Sequence, residues 1–382
     1  MKRRKIAVIT GRRAEYGITL TVLNAMRKRG LNFTLIVTGM HISKKFGNTI
    51  QQIKKDGFST NHMIEAFPLK DDGFSMVEAF GKYAIGFGKE ISKIKPDLIL
   101  VLADLGEALA GAVVGTYMNI PVAHLHGGEV SGSVDESIRH AITKLAHVHL
   151  PATKEGAKRI IGMGEQPWRV HIVGAPGLDA IKQDNFTPRD EIIKKFNLDK
   201  KRANILVVQH PDVIETENVV YHIRGTIDAV VDSGYRTIVI YPNMDAGGRK
   251  IVDVLKNYKR NPRISIFNNL VREDYLGLLN VVDVMVGNSS SGLIEAPSFK
   301  LPVVNVGDRQ KGRMRAFNVI DVGYGKKEIT KGINKALKDK KFREILAKCK
   351  NPYGDGKSGE RIAKLLSTIN IDKRLLQKRM TY

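Results

Sequence analysis

Short apolar runs alternate with amphipathic stretches along most of this chain, and that alternation restricts its fold more than any other feature. In the first half the runs fall at residues 5–10, 33–37, 97–102, 120–125, 147–150 and 170–173. In the second half they fall at 205–208, 237–241, 264–267, 281–286 and 303–306. Each is strand-length, and stretches between them, such as 18–29 and 108–117, carry helical periodicity. Strands alternating with helices specify parallel sheets covered on both faces. The pattern lapses once, at Lys182-Gln183-Asp184-Asn185-Phe186-Thr187-Pro188, which reads as a linker. The expected fold is therefore α/β, with two Rossmann-like domains facing a cleft. Residues 1–180 form the first domain and 188–358 the second, and a basic helical segment, 359–382, packs back on the first. At 382 residues the chain suits two cores better than one.

Composition narrows the function classes. Hydrophobic residues make up 42% and charged residues 26%, as in a soluble globular protein. No apolar run reaches the roughly 18–20 residues a membrane span needs. The basic start, Met1–Lys5, precedes an apolar run too short for a secretory signal, so that run reads as the first strand. The single cysteine, Cys349, excludes an intrachain disulfide and a Cys-based zinc site, and points to a reducing cytoplasm. The net charge of +23 fits nucleic acid, an acidic membrane or an anionic substrate. Basic residues are spread along the chain without a tail or an RNA-binding aromatic motif, which favours a phosphate-bearing small substrate.

In a parallel sheet, ligands gather beyond the carboxyl ends of the strands. The polar residues there are Arg13, Asp104, His126, Glu129, Asp135 and Arg139 in the first half. In the second they are His210, Asn243, Asp245, Ser289, Ser290, Glu295 and Arg309. The clearest local signal is Gly287-Asn288-Ser289-Ser290-Ser291-Gly292, between the apolar run 281–286 and what reads as the first helical turn, 293–296. Backbone amides and hydroxyls at such a joint suit a phosphate or diphosphate. A serine N-cap in an ordinary turn accounts for the same letters. Glu295, a turn further on, is placed to take a pair of sugar hydroxyls. Phosphate donors dominate the second half and carboxylates the first. That division suggests a nucleotide-diphosphate carrier held by one domain and acid–base chemistry supplied by the other. The glycines of Gly11-Arg12-Arg13-Ala14-Glu15-Tyr16-Gly17 have the wrong spacing for a dinucleotide turn, and no G-x-S-x-G elbow is present. His126, Glu129, Asp135 and His140 do not share a helical face, so no metal is expected.

Several motifs recur together in order: Gly11-Arg12-Arg13-Ala14-Glu15-Tyr16, Val37-Thr38-Gly39-Met40-His41, Asp104 with Glu107, His126-Gly127-Gly128-Glu129, Asp135 through Lys144, His210-Pro211, Tyr241-Pro242-Asn243-Met244-Asp245, Gly287 through Gly292, and Gly307-Asp308-Arg309. With these the chain resembles the hydrolysing UDP-N-acetylglucosamine 2-epimerases of sialic acid synthesis, over nearly its whole length. The resemblance implies the glycosyltransferase-B type of two-domain fold and no cofactor. It implies a UDP-sugar as partner, and a homo-oligomer, dimer or tetramer. It implies anti elimination of UDP to a 2-acetamidoglycal, then hydration with inversion at C2. The implied catalytic set is Asp104, His126, Asp135, Arg139 and His210. The implied substrate-binding set is Arg13, Asn243, Asp245, Ser289, Ser290, Glu295 and Arg309. Two departures stand out. The family commonly reads Gly-Asp-Arg where this chain has Ala103-Asp104-Leu105, so one cation is missing. Non-hydrolysing members carry a glutamate at His126, whereas hydrolysing relatives, including those acting on 2,4-diacetamido-2,4,6-trideoxy sugars, carry histidine. A non-hydrolysing epimerase or a glycosyltransferase on the same fold, and a nucleotide-sugar-binding protein without turnover, are the alternative readings.

Overall fold

The computed structural model describes residues 4–43, 49–70, 72–131, 134–242 and 245–382, with only the backbone of Arg13 and Ala14. Two compact units emerge. The first comprises Met1–Glu129, Asp135–Asp179 and Tyr353–Tyr382; the second comprises Val130–Val134 and Ala180–Pro352.

The first run of elements is β1 (Lys5–Thr10), α1 (Arg13–Lys28), β2 (Asn32–Thr38), α2 (Ile50–Lys55), β3 (His62–Ile64), α3 (Gly73–Ile94) and β4 (Leu98–Leu102). It continues through α4 (Gly106–Tyr117), β5 (Val122–Leu125), α5 (Val134–Leu145), β6 (Val148–Leu150), α6 (Lys154–Gly162) and α7 (Gly177–Lys182). The six strands pair in parallel in the order β3-β2-β1-β4-β5-β6. Period-two alternation feeds both faces. Ile6, Val8, Leu98 and Leu100 pack against Val22, Leu23 and Met26 of α1. Ala7, Ile9, Ile99 and Val101 pack against Tyr83, Phe87 and Ile91 of α3 and Ala108 and Ala112 of α4.

The second run is α8 (Arg189–Lys195), β7 (Asn204–Val208), α9 (Val219–Ser233), β8 (Arg236–Ile240), α10 (Gly248–Lys256), β9 (Ile264–Phe267) and α11 (Arg272–Val281). It ends with β10 (Val284–Gly287), α12 (Ser291–Ile294), β11 (Val303–Val306), β12 (Val319–Val322), α13 (Lys326–Lys338) and α14 (Lys340–Ala347). The strand order is β12-β11-β10-β7-β8-β9, again parallel. Beyond it, α15 (Ser358–Thr368) places Ile362, Ala363 and Leu366 in the core beside α1, and α16 (Lys373–Leu376) follows.

The segment 170–173 is not a strand. His171 N donates to His149 O and Val173 N to Pro151 O, but only one bridge, His149 with Val170, is formed. Pro151 has no N–H with which to extend that ladder. Each sheet reverses its strand order at one point, between β1 and β4 in the first and between β7 and β10 in the second. Both carry motif residues at the carboxyl ends.

Candidate active site

In the first unit the reversal point is lined with acid. The β1–α1 turn is held by Glu15, whose Oε2 accepts from Gly11 N at 3.1 Å and Arg12 N at 3.3 Å. Glu107, from the first turn of α4, lies beside it, 3.7 Å from the Arg12 guanidinium. A Cβ on Gly11 would sit 2.1 Å from Glu107 Oε1, so glycine is needed for this approach. Burial, then the neighbouring Glu107, push the Glu15 carboxyl up to about 8. Arg13 opens α1, and its side chain lies outside the described residues.

The ends of β4 and β5 turn through left-handed backbone at two non-glycine residues, Ala103 (φ 60°) and His126 (φ 58°). The Ala103 side chain makes that conformation costly by roughly 1–2 kcal/mol. His124 secures the first turn, donating from Nε2 to Ala103 O at 2.7 Å. Burial holds that imidazole down at about 3, so it stays neutral and keeps this tautomer's proton for the carbonyl. The turn delivers Asp104 to Arg139 of α5, whose Nη2 donates to Asp104 Oδ2. Arg139 is buried, and its Nη1 donates to Glu129 O at 3.0 Å. Tyr353 Oη donates to Glu129 Oε2 at 3.3 Å. Asp135 stands one turn before Arg139, in the acidic first turn of α5, and i,i+4 spacing puts both on one face. The structure thus brings Asp104 and Arg139 together, with Asp135 one helical turn before Arg139 and the buried His126 ending the strand beside β4.

In the second unit Asn288 is the centre. Its Oδ1 accepts from His210 N at 2.7 Å and its Nδ2 donates to His210 O at 2.9 Å, tying the end of β10 to the end of β7. Its carbonyl accepts from Arg309 Nη1 at 3.3 Å and Gln310 Nε2 at 2.9 Å, which ties in the loop after β11. The preceding Gly287 has φ 130°, and a Cβ there would meet Val208 O at 2.2 Å. Only glycine lets β10 and β7 close here.

The serine turn is not the start of a long helix. α12 has only four residues and gives way to a 3-10 turn, Ala296–Phe299, because Pro297 cannot continue the i→i−4 ladder. A helix that short contributes little dipole, so the local amides matter. Ser289 Oγ is engaged with Ser291 Oγ at 3.1 Å. Ser291 Oγ also meets Tyr275 Oη. Among the described residues, the Ser289 and Ser290 amides and the Ser290 hydroxyl have no protein partner. Glu295 is buried, with Arg272 Nη2 3.4 Å from its Oε1. Burial pushes its carboxyl up against the pull of Arg272. Asp245 lies beyond β8, where its carbonyl accepts from Gly248 N at 2.8 Å. Asn243 is outside the described residues.

The sequence reading passed over Glu15, His124, Asn288, Gln310 and Arg272 as individual contributors. Arg272 did leave a signal. It is a cation at the first position of α11, where the helix dipole disfavours positive charge, so a specific partner is called for. No group of three or more His, Cys, Asp or Glu suited to a metal occurs among the described residues. Nor does any described helix have the length and apolarity to cross a membrane.

Comparison with known proteins gives a consistent result. The family profile described as UDP-N-acetylglucosamine 2-epimerase matches residues 24–367. A UDP-N,N'-diacetylbacillosamine 2-epimerase (hydrolyzing) of Legionella pneumophila is 40% identical, over 99% of this chain and 100% of that protein. A GDP/UDP-N,N'-diacetylbacillosamine 2-epimerase (hydrolyzing) of Campylobacter jejuni is 33% identical, over 84% and 85%. The solved structure of a UDP-GlcNAc 2-epimerase from Neisseria meningitidis bound to UDP-GlcNAc superposes with a TM-score of 0.80, at 17% identity, covering 95% of this chain and 99% of that one.

Proposed function

This chain belongs to the UDP-N-acetylglucosamine 2-epimerase family, and from that premise we propose that it is a hydrolysing 2-epimerase of a UDP-linked 2-acetamido sugar. The products are UDP and the free 2-epimer. The substrate we assign first is UDP-2,4-diacetamido-2,4,6-trideoxyglucose, giving the corresponding free 2,4-diacetamido mannose-type sugar. UDP-N-acetylglucosamine, giving N-acetylmannosamine, comes second. The observation that carries this assignment is the full-length similarity to the Legionella pneumophila enzyme.

The chemistry sets requirements that the residues meet in kind. The C2 proton is weakly acidic, so its removal is coupled to cleavage of the C1–O bond. The electron pair of C2–H becomes the C1–C2 double bond, and UDP departs with the C1–O pair. Negative charge grows on the diphosphate. The uncommitted Ser289 and Ser290 amides, the Ser290 hydroxyl, Arg309 and Arg13 are the donors assigned to it. One such donor is worth about 2.7–4 kcal/mol of barrier. Glu295 takes the ribose hydroxyls, and Asn243 and Asp245 the remaining polar groups of the nucleotide sugar. Water then adds across the double bond, with oxygen to C1 and a proton to C2. Inversion means the proton leaves one face of the ring and returns on the other, so two proton-handling groups are needed. Asp104, oriented by Arg139, serves as one. Asp135, with His126 and His210 as proton shuttles, serves as the other.

The test is NMR in deuterated water with both UDP-sugars offered. The expected outcome is UDP plus a free sugar carrying deuterium at C2. A product that retains UDP, or one that keeps its original C2 hydrogen, overturns the proposal.

A further inference from the structure

The cation that orients Asp104 is shared with a second acceptor. Arg139 is 1% exposed and divides its guanidinium between two oxygens. Nη2 donates to Asp104 Oδ2, and Nη1 donates to the Glu129 carbonyl at 3.0 Å. The residue that supplies this carbonyl also carries a buried carboxylate, 2% exposed. A carboxylate accepts from a guanidinium more strongly than a peptide carbonyl does. Glu129 therefore brings a competitor for Arg139 to within one side chain of the Arg139–Asp104 pair. The pair is kept only if that carboxylate is held elsewhere.

Tyr353 holds it. Its Oη donates to Glu129 Oε2 at 3.3 Å, across 224 residues of sequence. The ring is fully buried, at the point where the chain re-enters the first unit from the second. The backbone around it is well fixed. Ala175 N donates to Tyr353 O at 2.8 Å. Asp179 accepts from the Ser358 and Gly359 amides at 2.9 and 2.7 Å, which anchors the start of α15. Phenylalanine would fill the same space in this core. A buried hydroxyl is costly unless it is hydrogen-bonded, so the phenol oxygen is the part of the side chain that packing does not explain.

We propose that Tyr353 is a positioning residue for the reaction: its hydroxyl keeps the Glu129 carboxylate off Arg139, so that the guanidinium stays on Asp104, a role that rests on the assignment of Asp104 to proton transfer. Tyr353 acts through Glu129 and Arg139. Without its hydroxyl the carboxylate turns to the guanidinium, and Asp104 loses the partner that orients it.

The test compares wild type, Tyr353→Phe and the double variant Tyr353→Phe/Glu129→Gln in the UDP-release assay. Tyr353→Phe removes one oxygen and leaves the packing of the ring in place. It is expected to lower kcat about 10²-fold, the scale for a misplaced catalytic group, with KM for the UDP-sugar unchanged. Adding Glu129→Gln is expected to restore most of the lost turnover, because a neutral amide does not draw the guanidinium away from a carboxylate. A tyrosine that only fills the core predicts the reverse, since a second buried substitution would add to the damage. Full turnover in Tyr353→Phe, a change confined to KM, or a double variant no faster than the single one overturns the proposal. The crystal structure of Tyr353→Phe gives a reading independent of activity. It is expected to show the Glu129 carboxylate on Arg139, and an unmoved Arg139–Asp104 pair overturns the proposal. Wild-type protein that releases no UDP from either sugar contradicts the functional assignment instead, and the variant's crystal structure then decides the role of Tyr353 by itself.

Discussion

The two sheets reverse strand order at equivalent points but turn the chain there by different means. In the second unit the left-handed positions belong to glycines, Gly287 at φ 130° and Gly307 at φ 75°, and the strand ends are joined by neutral hydrogen bonds through Asn288. In the first unit glycines also take this role, Gly39 after β2 and Gly128 after β5, but the ends of β4 and β5 themselves turn at Ala103 and His126, and the neighbouring groups are ionisable: Glu15, Glu107, Asp104 and Arg139. Glycine makes such turns at little steric cost. A side-chain-bearing residue makes them at a cost that the surroundings must hold in place, and such strain collects where chemistry happens. The contrast matches the assigned division of labour. A relaxed, amide-rich turn suits binding a diphosphate, and a strained, carboxylate-bearing turn suits proton transfer.

The sharpest way to break the comparison is Asp104→Asn, which should lower kcat about 10³-fold, the scale of a general acid or base. A steady-state assay of UDP release measures this. Next in size is Glu15→Gln. With its native carboxyl raised to about 8 from 4.5, Glu15 is neutral in the folded chain over a range where the unfolded chain is ionised. Its stabilising effect is therefore complete below pH 4.5 and lost as pH rises through 8. Glutamine keeps the acceptor for Gly11 N and Arg12 N without this loss. The variant should match wild type near pH 4.5 and exceed it at pH 8 by on the order of 3 kcal/mol. Urea unfolding at the two pH values decides it, and equal pH slopes would remove Glu15 from the account.

A smaller effect is expected from Asn288→Ala. Losing the two bonds to the His210 backbone should cost about 2 kcal/mol and loosen the turn that presents the Ser289 and Ser290 amides. UDP affinity, read by calorimetry, should fall with it. Smallest is Ala103→Gly. Relief of the left-handed strain, less the added freedom of the unfolded chain, should raise stability by about 0.5–1 kcal/mol. Thermal unfolding gives the number. A loss of stability there would mean that Ala103 is not strained.

These contrasts also show which features a sequence reveals. Ten of the twelve strands were legible because each is a short apolar run with polar punctuation, and their carboxyl ends named the site positions without coordinates. The edge strands β3 and β12 were passed over, and 170–173 was read as a strand it does not form. The serine turn was legible as a donor cluster but not as a short one, since Pro297 lay just beyond the expected helical turn. The pairing of Asp104 with Arg139 was not legible as geometry, because 35 residues separate them and only the β4–β5 pairing brings them together. α3 escaped the sequence reading altogether. Its four glycines, Gly73, Gly81, Gly86 and Gly88, weaken the helical propensity, and only at Gly86 would a Cβ meet the core. The strain at Ala103 shows only in backbone dihedrals, since the departure from Gly-Asp-Arg was read for the missing cation at Leu105.

The division between a binding turn and a reacting turn can be tested in one titration. UDP is added to the Asp104→Asn variant and to wild-type protein in the calorimeter at the same pH and salt. The account predicts equal dissociation constants, with turnover lost only in the variant. A fall in UDP affinity comparable to the fall in turnover would contradict it.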